Sequence, residues 1–200
     1  MLKNGPLYFS VDGTKPESIF LMSKEIMNLL ININYDFNNI IILCIGTDRS
    51  TGDCLGPLVG EKLSKLIKKS YIHVLGTLKE PIHAKNLEPT INNIYSSFNK
   101  PLIIAVDASL GKIENVGKIN LIKGPLYPGA GVNKNLTPVG DISITGIVNT
   151  SGFMEYIVLQ STRLYLVMQL ADVISLSLFS ALKKINTKLG YIQNKDEYTL

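Results

Sequence analysis

Two rhythms of apolar residues alternate along the first half of the chain. Residues 39–45 (NIIILCI) make an unbroken run that stops at Gly46, and residues 102–106 (LIIAV) make a second. Runs without polar interruption suit strands covered on both faces. Between them, Leu55, Leu58, Val59, Leu63, Leu66 and Ile67 repeat at helical spacing opposite Glu61, Lys62, Lys65 and Lys68, the pattern of an amphipathic helix. A short strand over 71–75 and a helix over 86–98 complete this stretch. Ahead of it, Thr14-Lys-Pro-Glu17 reads as a capping box opening a helix over 17–31, with Ile19, Phe20, Ile26, Leu29 and Leu30 on one face.

In the second half, residues 117–123 and 141–148 read as strands. The latter (DISITGIV) alternates polar and apolar positions, which predicts one covered face and one wetter face. A loop dense in turn residues, 124–135, separates the two, one long helix over 153–185 closes the domain, and 188–200 are expected to fray as a tail. Strands alternating with helices predict an α/β fold, a three-layer α/β/α sandwich around a mainly parallel or mixed central sheet.

Composition narrows the function classes. With 200 residues, 46% of them apolar and 18% charged, the chain is expected to be a single domain over 1–200 with its core over 39–185. The net charge of +4 is dispersed, and only Arg49 and Arg163 among the twenty basic residues are arginines. No nucleic-acid partner is expected, because duplex binders concentrate basic residues and favour the guanidinium fork. Cys44 and Cys54 form neither a zinc pattern nor a disulfide framework, which suits a reducing cytoplasm. The first residues do not read as a secretory signal. Arg163 and Asp172 break the most apolar stretch, 156–182, into pieces shorter than the roughly twenty residues of a membrane span, so no membrane is expected either.

In an open α/β sheet, ligands bind beyond the carboxyl ends of the strands. Asp48 and Asp53 lie where the first buried strand empties, and Asp107 lies where LIIAV ends. If those strands are neighbours, Asp53 and Asp107 face each other across a crevice. Two adjacent carboxyls share a proton or hold a cation, and either arrangement activates water for hydrolysis. The plainer alternatives are an N-cap role for Asp53 and an Asx turn for Asp107. Asp48 and Arg49 read as a solvated loop pair, His83 as a metal-ligand candidate or an ordinary hydrogen-bonding histidine, and His73 as structural. The glycines of 46–52 raise nucleotide binding as a further reading, but no Walker or dinucleotide signature accompanies them. Pro128, Gly129, Gly131, Asn133 and Lys134 suit the backbone wall of a groove for an extended ligand.

Four motifs in order, GTDRSTGDCLGP at 46–57, AVDAS at 105–109, PGAGVNK at 128–134 and GDISITGIVN at 140–149, closely resemble the YyaC-type sporulation proteins of endospore-forming bacteria. That family is in turn similar to the germination proteases and, more distantly, to the hydrogenase maturation proteases. The resemblance implies the α/β/α fold of the latter and a sporulation-associated peptidase-like activity, with Asp53 and Asp107 as the catalytic pair and residues 128–134 beside the cleft. It implies a protein or peptide substrate among spore proteins, a cytoplasmic location in the forespore or spore core, and room for a homo-oligomer. No cofactor is required; a divalent metal remains open, with Asp53, Asp107 and His83 as candidate ligands. The alternative is a non-catalytic spore protein that binds a peptide or a metal in the same cleft.

Overall fold

The computed structural model describes residues 7–33, 36–128 and 137–196. Its strands are β1 (Leu7–Asp12), β2 (Ile40–Cys44), β3 (Ile72–Leu75), β4 (Leu102–Gly111), β5 (Lys118–Lys123) and β6 (Ile142–Thr150). Its helices are α1 (Ser18–Ile31), α2 (Leu55–Leu66), α3 (Leu87–Ser97), α4 (Glu155–Gln160) and α5 (Leu164–Asp196). One sheet orders the strands β1-β5-β6-β4-β2-β3. β3, β2, β4 and β6 run parallel, whereas β5 is antiparallel to both β6 and β1.

The alternation of side chains along a strand assigns the two faces. Ile40, Ile42 and Cys44 of β2 join the larger apolar cluster with Met22 and Ile26 of α1, Val59 and Leu63 of α2, and Leu170 and Ile174 of α5. Ile41 and Leu43 point the other way, onto Leu87, Ile91 and Ile94 of α3. The fold is therefore a three-layer α/β/α sandwich around a mixed, centrally parallel sheet. Each fully buried Ile or Leu contributes about 2 kcal/mol of transfer free energy, which accounts for the uninterrupted apolar runs in β2 and β4.

Several local expectations change. No capping box forms at Thr14: α1 starts at Ser18 without a side-chain cap, and the Thr14 hydroxyl instead donates to Asp12 Oδ1 at 2.6 Å. That bond and the Thr14 N–H hold the Asp12 carboxyl below its ordinary range. β6 has no wet face over 142–148, because Ser143 and Thr145 are buried with their apolar neighbours, and the Ser143 hydroxyl is satisfied by the Gly124 carbonyl at 2.9 Å. The closing helix is broken into α4 and α5. At the break, the Ser161 and Thr162 hydroxyls donate back to the carbonyls of Ile157 and Val158, a bond that competes with helix propagation. Past Lys188, where fraying was expected, α5 continues to Asp196, since helix propagation is cheap once nucleated. By length and composition Leu164–Ile185 would suit a membrane span, with mean hydropathy 1.6, but half of it is buried inside the domain. β1, which pairs with β5 along one edge, was not anticipated.

Candidate functional site

Parallel β2 and β4 are neighbours, paired from Ile40–Leu102 to Cys44–Val106. β2 stops there. β4 does not: Asp107, expected in a loop, is a strand residue paired with Thr145 of β6, and the ladder runs on to Gly111 and Thr150. The physical cause is β6, which keeps offering main-chain partners after β2 has ended. Asp107 is thus the first β4 residue beyond β2, at the end of the sheet where β2 gives way to the loop carrying Asp53.

That loop is seated by main-chain bonds from two consecutive residues. Gly46 N–H donates to the Ile82 carbonyl at 2.8 Å, and Thr47 N–H donates to the Asp53 carbonyl at 3.1 Å. The dipeptide after β2 therefore ties together the loop of Asp53 and the loop of His83. Gly46 adopts φ +141°, and a Cβ there would collide with the Asp53 carbonyl oxygen, so only glycine fits.

The plainer readings of both acids recede. α2 begins after Cys54, and no side chain caps it, so Asp53 is not the N-cap. Asp107 Oδ1 accepts from the adjacent Ala108 N–H at 2.8 Å, inside a strand rather than across an Asx turn. Burial pushes the Asp53 carboxyl up, while the Thr47 N–H and His83 pull it back. Asp107 is raised well above the carboxylate range, first by burial and then by the Asp53 charge, with Ala108 N–H opposing. The two acids thus lie near enough for one to act on the other's protonation. Of the two, Asp107 is raised the further and Asp53 is the more acidic partner.

His83 sits in a clamped turn. Its N–H donates to Asn86 Oδ1 at 2.8 Å, and its Nδ1 accepts from Lys85 N–H at 3.3 Å. Among the described residues no three His, Cys, Asp or Glu side chains converge as a metal-ligand set. His73 is structural, bonded to Asn39 at 3.2 Å and packed on Phe98. Asp48 and Arg49 are exposed on the outer side of the loop. Both cysteines are buried with their thiols pushed up, so neither is a ready nucleophile.

Of the expected groove residues, Pro128 is buried, whereas Gly129, Gly131, Asn133 and Lys134 lie outside the described residues. The base of their loop is a Leu126–Val139 bridge, packed on the α3 face in the cluster that holds Ala105, two residues before Asp107. The sequence did not single out Thr47, Asn86 or Ser50. Their roles are main-chain bonds, or for Ser50 a buried hydroxyl with no partner among the described residues, and none leaves a residue-type signature. The helical stretch 153–160 was read as core, yet no residue of α4 is buried.

A family model described as "Protein of unknown function (DUF1256)" matches residues 13–177. An uncharacterized protein of Bacillus subtilis (strain 168), YyaC, is 57% identical over 136 residues, a span covering 68% of this chain and 66% of that protein's length. Among solved structures, the [NiFe] hydrogenase maturation protease HycI from Thermococcus kodakarensis superposes with TM-score 0.54 at 18% identity, covering 80% of this chain and 99% of that one. At that identity the match establishes a shared fold.

Proposed function

We propose that this chain, which belongs to the DUF1256 family, is a peptidase-like protein that hydrolyses peptide bonds of spore proteins in the forespore cytoplasm, in the manner of the germination proteases. The observation that carries the reading is the unequal carboxyl pair at the end of β2, with Asp107 raised well above its ordinary value, first by burial and then by the Asp53 charge. The fold shared with a maturation protease supports the peptidase class, and the resemblance to sporulation proteins supports the substrate and the compartment.

Asp53, kept the more acidic by Thr47 N–H and His83, takes a proton from water as it attacks the scissile carbonyl. Asp107 donates its proton to the carbonyl oxygen, where charge develops. Collapse of the tetrahedral intermediate returns a proton from Asp53 to the departing amine and leaves Asp107 neutral again. Among the described residues no three-ligand metal set assembles, and no step is routed through one.

Asp53→Asn and Asp107→Asn keep size and hydrogen-bonding shape but remove the titrating carboxyl. Incubated with a spore-protein extract and followed by mass spectrometry of new termini, each is expected to lose about a hundredfold or more in cleavage rate while retaining the cooperative melt of the parent. Cleavage by the double variant at the parent rate would overturn the reading. Specific peptide capture without new termini would instead indicate a binding protein using the same cleft.

A further inference from the structure

Asp53 is held through the main chain on both flanks. On its carboxyl side, the Asp53 carbonyl accepts from Thr47 N–H at 3.1 Å, a bond internal to the loop. On its amino side, Gly52 N–H donates to the Leu159 carbonyl at 2.8 Å, and that partner comes from the last turn of α4. Gly52 is buried, and a side chain there would meet Leu159 Cδ2 at 2.8 Å and Thr162 Oγ1 at 2.9 Å. The loop of Asp53 therefore lies directly on the α4–α5 junction.

The junction is in turn held by β6. The last carbonyls of a helix find no partner within it, and two neighbouring ones at the end of α4 are taken by different parts of the molecule. Leu159 O accepts from Gly52, and Val158 O accepts from Asn149 Nδ2 at 3.3 Å. Asn149 Nδ2 also donates to Thr162 Oγ1 at 3.2 Å, while the buried Thr162 hydroxyl donates to Val158 O at 2.8 Å. Asn149 Oδ1 accepts from Thr150 N–H at 2.8 Å, which fixes the orientation of the amide. Asn149 pairs with Leu110 of β4, four residues beyond the Thr145 that pairs with Asp107. A continuous run of hydrogen bonds thus joins the strand of one acid to the loop of the other: the β4–β6 ladder, Asn149, the α4 carbonyls and Gly52.

We propose that Asn149 and Thr162 are positioning residues for Asp53, fixing the junction on which its loop rests and so setting how near it stands to Asp107. This deepens the peptidase reading and rests on it. No group in the bridge carries a charge. The groups that bear on the titration of Asp53 are Asp107 of β4, His83 and the Cys54 thiol, with Asp48 bearing on Cys54. Cutting the bridge removes none of them, so a change in how the two carboxyls titrate reports a change in where Asp53 sits.

Asn149→Ala removes both donors, and Thr162→Val removes the hydroxyl at nearly constant shape. The two carboxyls are titrated by NMR on isotope-labelled aspartate, with Asp53→Asn and Asp107→Asn giving the assignment. In both variants Asp53 is expected to titrate closer to its ordinary value of 3.8, as water enters beside the released loop, and Asp107 to move down with it as the Asp53 charge recedes. Against a spore-protein substrate, kcat is expected to fall about tenfold or more with KM unchanged. Thr162→Ser, which keeps the hydroxyl, is expected to retain the parent titration and rate. So is Ser161→Ala, whose hydroxyl donates to the Ile157 and Val158 carbonyls without touching Asn149. Melting curves establish that each variant folds, and Thr162→Val decides if Asn149→Ala does not. Titration at parent values in the folded variants would overturn the inference whatever the rates, and so would the same shift in Thr162→Ser or Ser161→Ala. Shifted titration in a protein that cleaves no peptide sinks the peptidase reading and leaves the positioning of Asp53 standing.

Discussion

Asp141 lies beside the amino end of β4, and Asp107 lies within β4, just beyond the point where β2 stops. At the amino end, Asp141 Oδ2 accepts from Ile103 N–H at 2.8 Å, its own N–H donates to the Ile103 carbonyl at 2.8 Å, and its carbonyl accepts from Gly124 N–H at 2.8 Å. The Asp141 side chain and main chain together finish the ladder where β6 begins, beside a surface groove lined by Tyr95, Phe98, Lys100 and Pro101. At the carboxyl end, Asp107 has the N–H of its own neighbour Ala108 and, across the gap, the charge of Asp53. A carboxyl that joins its own main chain in bridging two strands is part of the scaffold. One that is buried facing another carboxyl has its proton affinity raised.

The contrast can be broken at either end. The largest effect is expected from Gly46→Ala, which forces a Cβ onto the Asp53 carbonyl at a backbone angle that disfavours side chains. A loss of about 3 kcal/mol or more in chemical denaturation is expected; a loss near zero would mean that the Asp53 loop is not held as described. Asp141→Ala strips the acceptor from Ile103 N–H and should cost about 2 kcal/mol, with cleavage per folded molecule unchanged. A selective loss of cleavage would erase the distinction between the two ends.

The smallest effect has the opposite sign. Asp53 and Asp107 both bind protons more tightly in the folded state than at their ordinary value of 3.8. Their contribution to stability is therefore fully present below that value and is lost as pH rises through the raised folded values. Asp107→Asn still offers an oxygen to Ala108 N–H but has no charge to bury. It is expected to melt higher than the parent at neutral pH, by on the order of 1 kcal/mol, with the gap closing toward acid. A variant less stable than the parent at pH 7, with the gap unchanged in acid, would show that the carboxyl is held by contacts rather than strained by burial.

Much of this architecture was legible along the chain. The runs at 39–45 and 102–106 announced strands covered on both faces, and the stripe from Leu55 to Ile67 announced α2. The ends of those runs pointed to Asp53 and Asp107. The legibility failed where partners come from afar. DISITGIV alternates like a half-wet strand, but Ser143 is satisfied by the Gly124 carbonyl and the strand is buried regardless. Thr14 and Glu17 have the letters of a capping box, but Asp12 takes the Thr14 hydroxyl. The stretch from Phe153 onward has helical periodicity throughout, yet Gly52 and Asn149 draw its middle toward the Asp53 loop.

The amino-acid order by itself determined which segments bury and with what period, because burial is a property of side chains and repeats with the geometry of each element. It also placed two acids where buried strands end. Only the tertiary structure decided that β4 outruns β2, so that one acid is buried within a strand while the other stands in a loop. Only there does one carboxyl raise the other, since the field of one on another depends on distance and on the water excluded between them, neither of which is written in the spacing from 53 to 107.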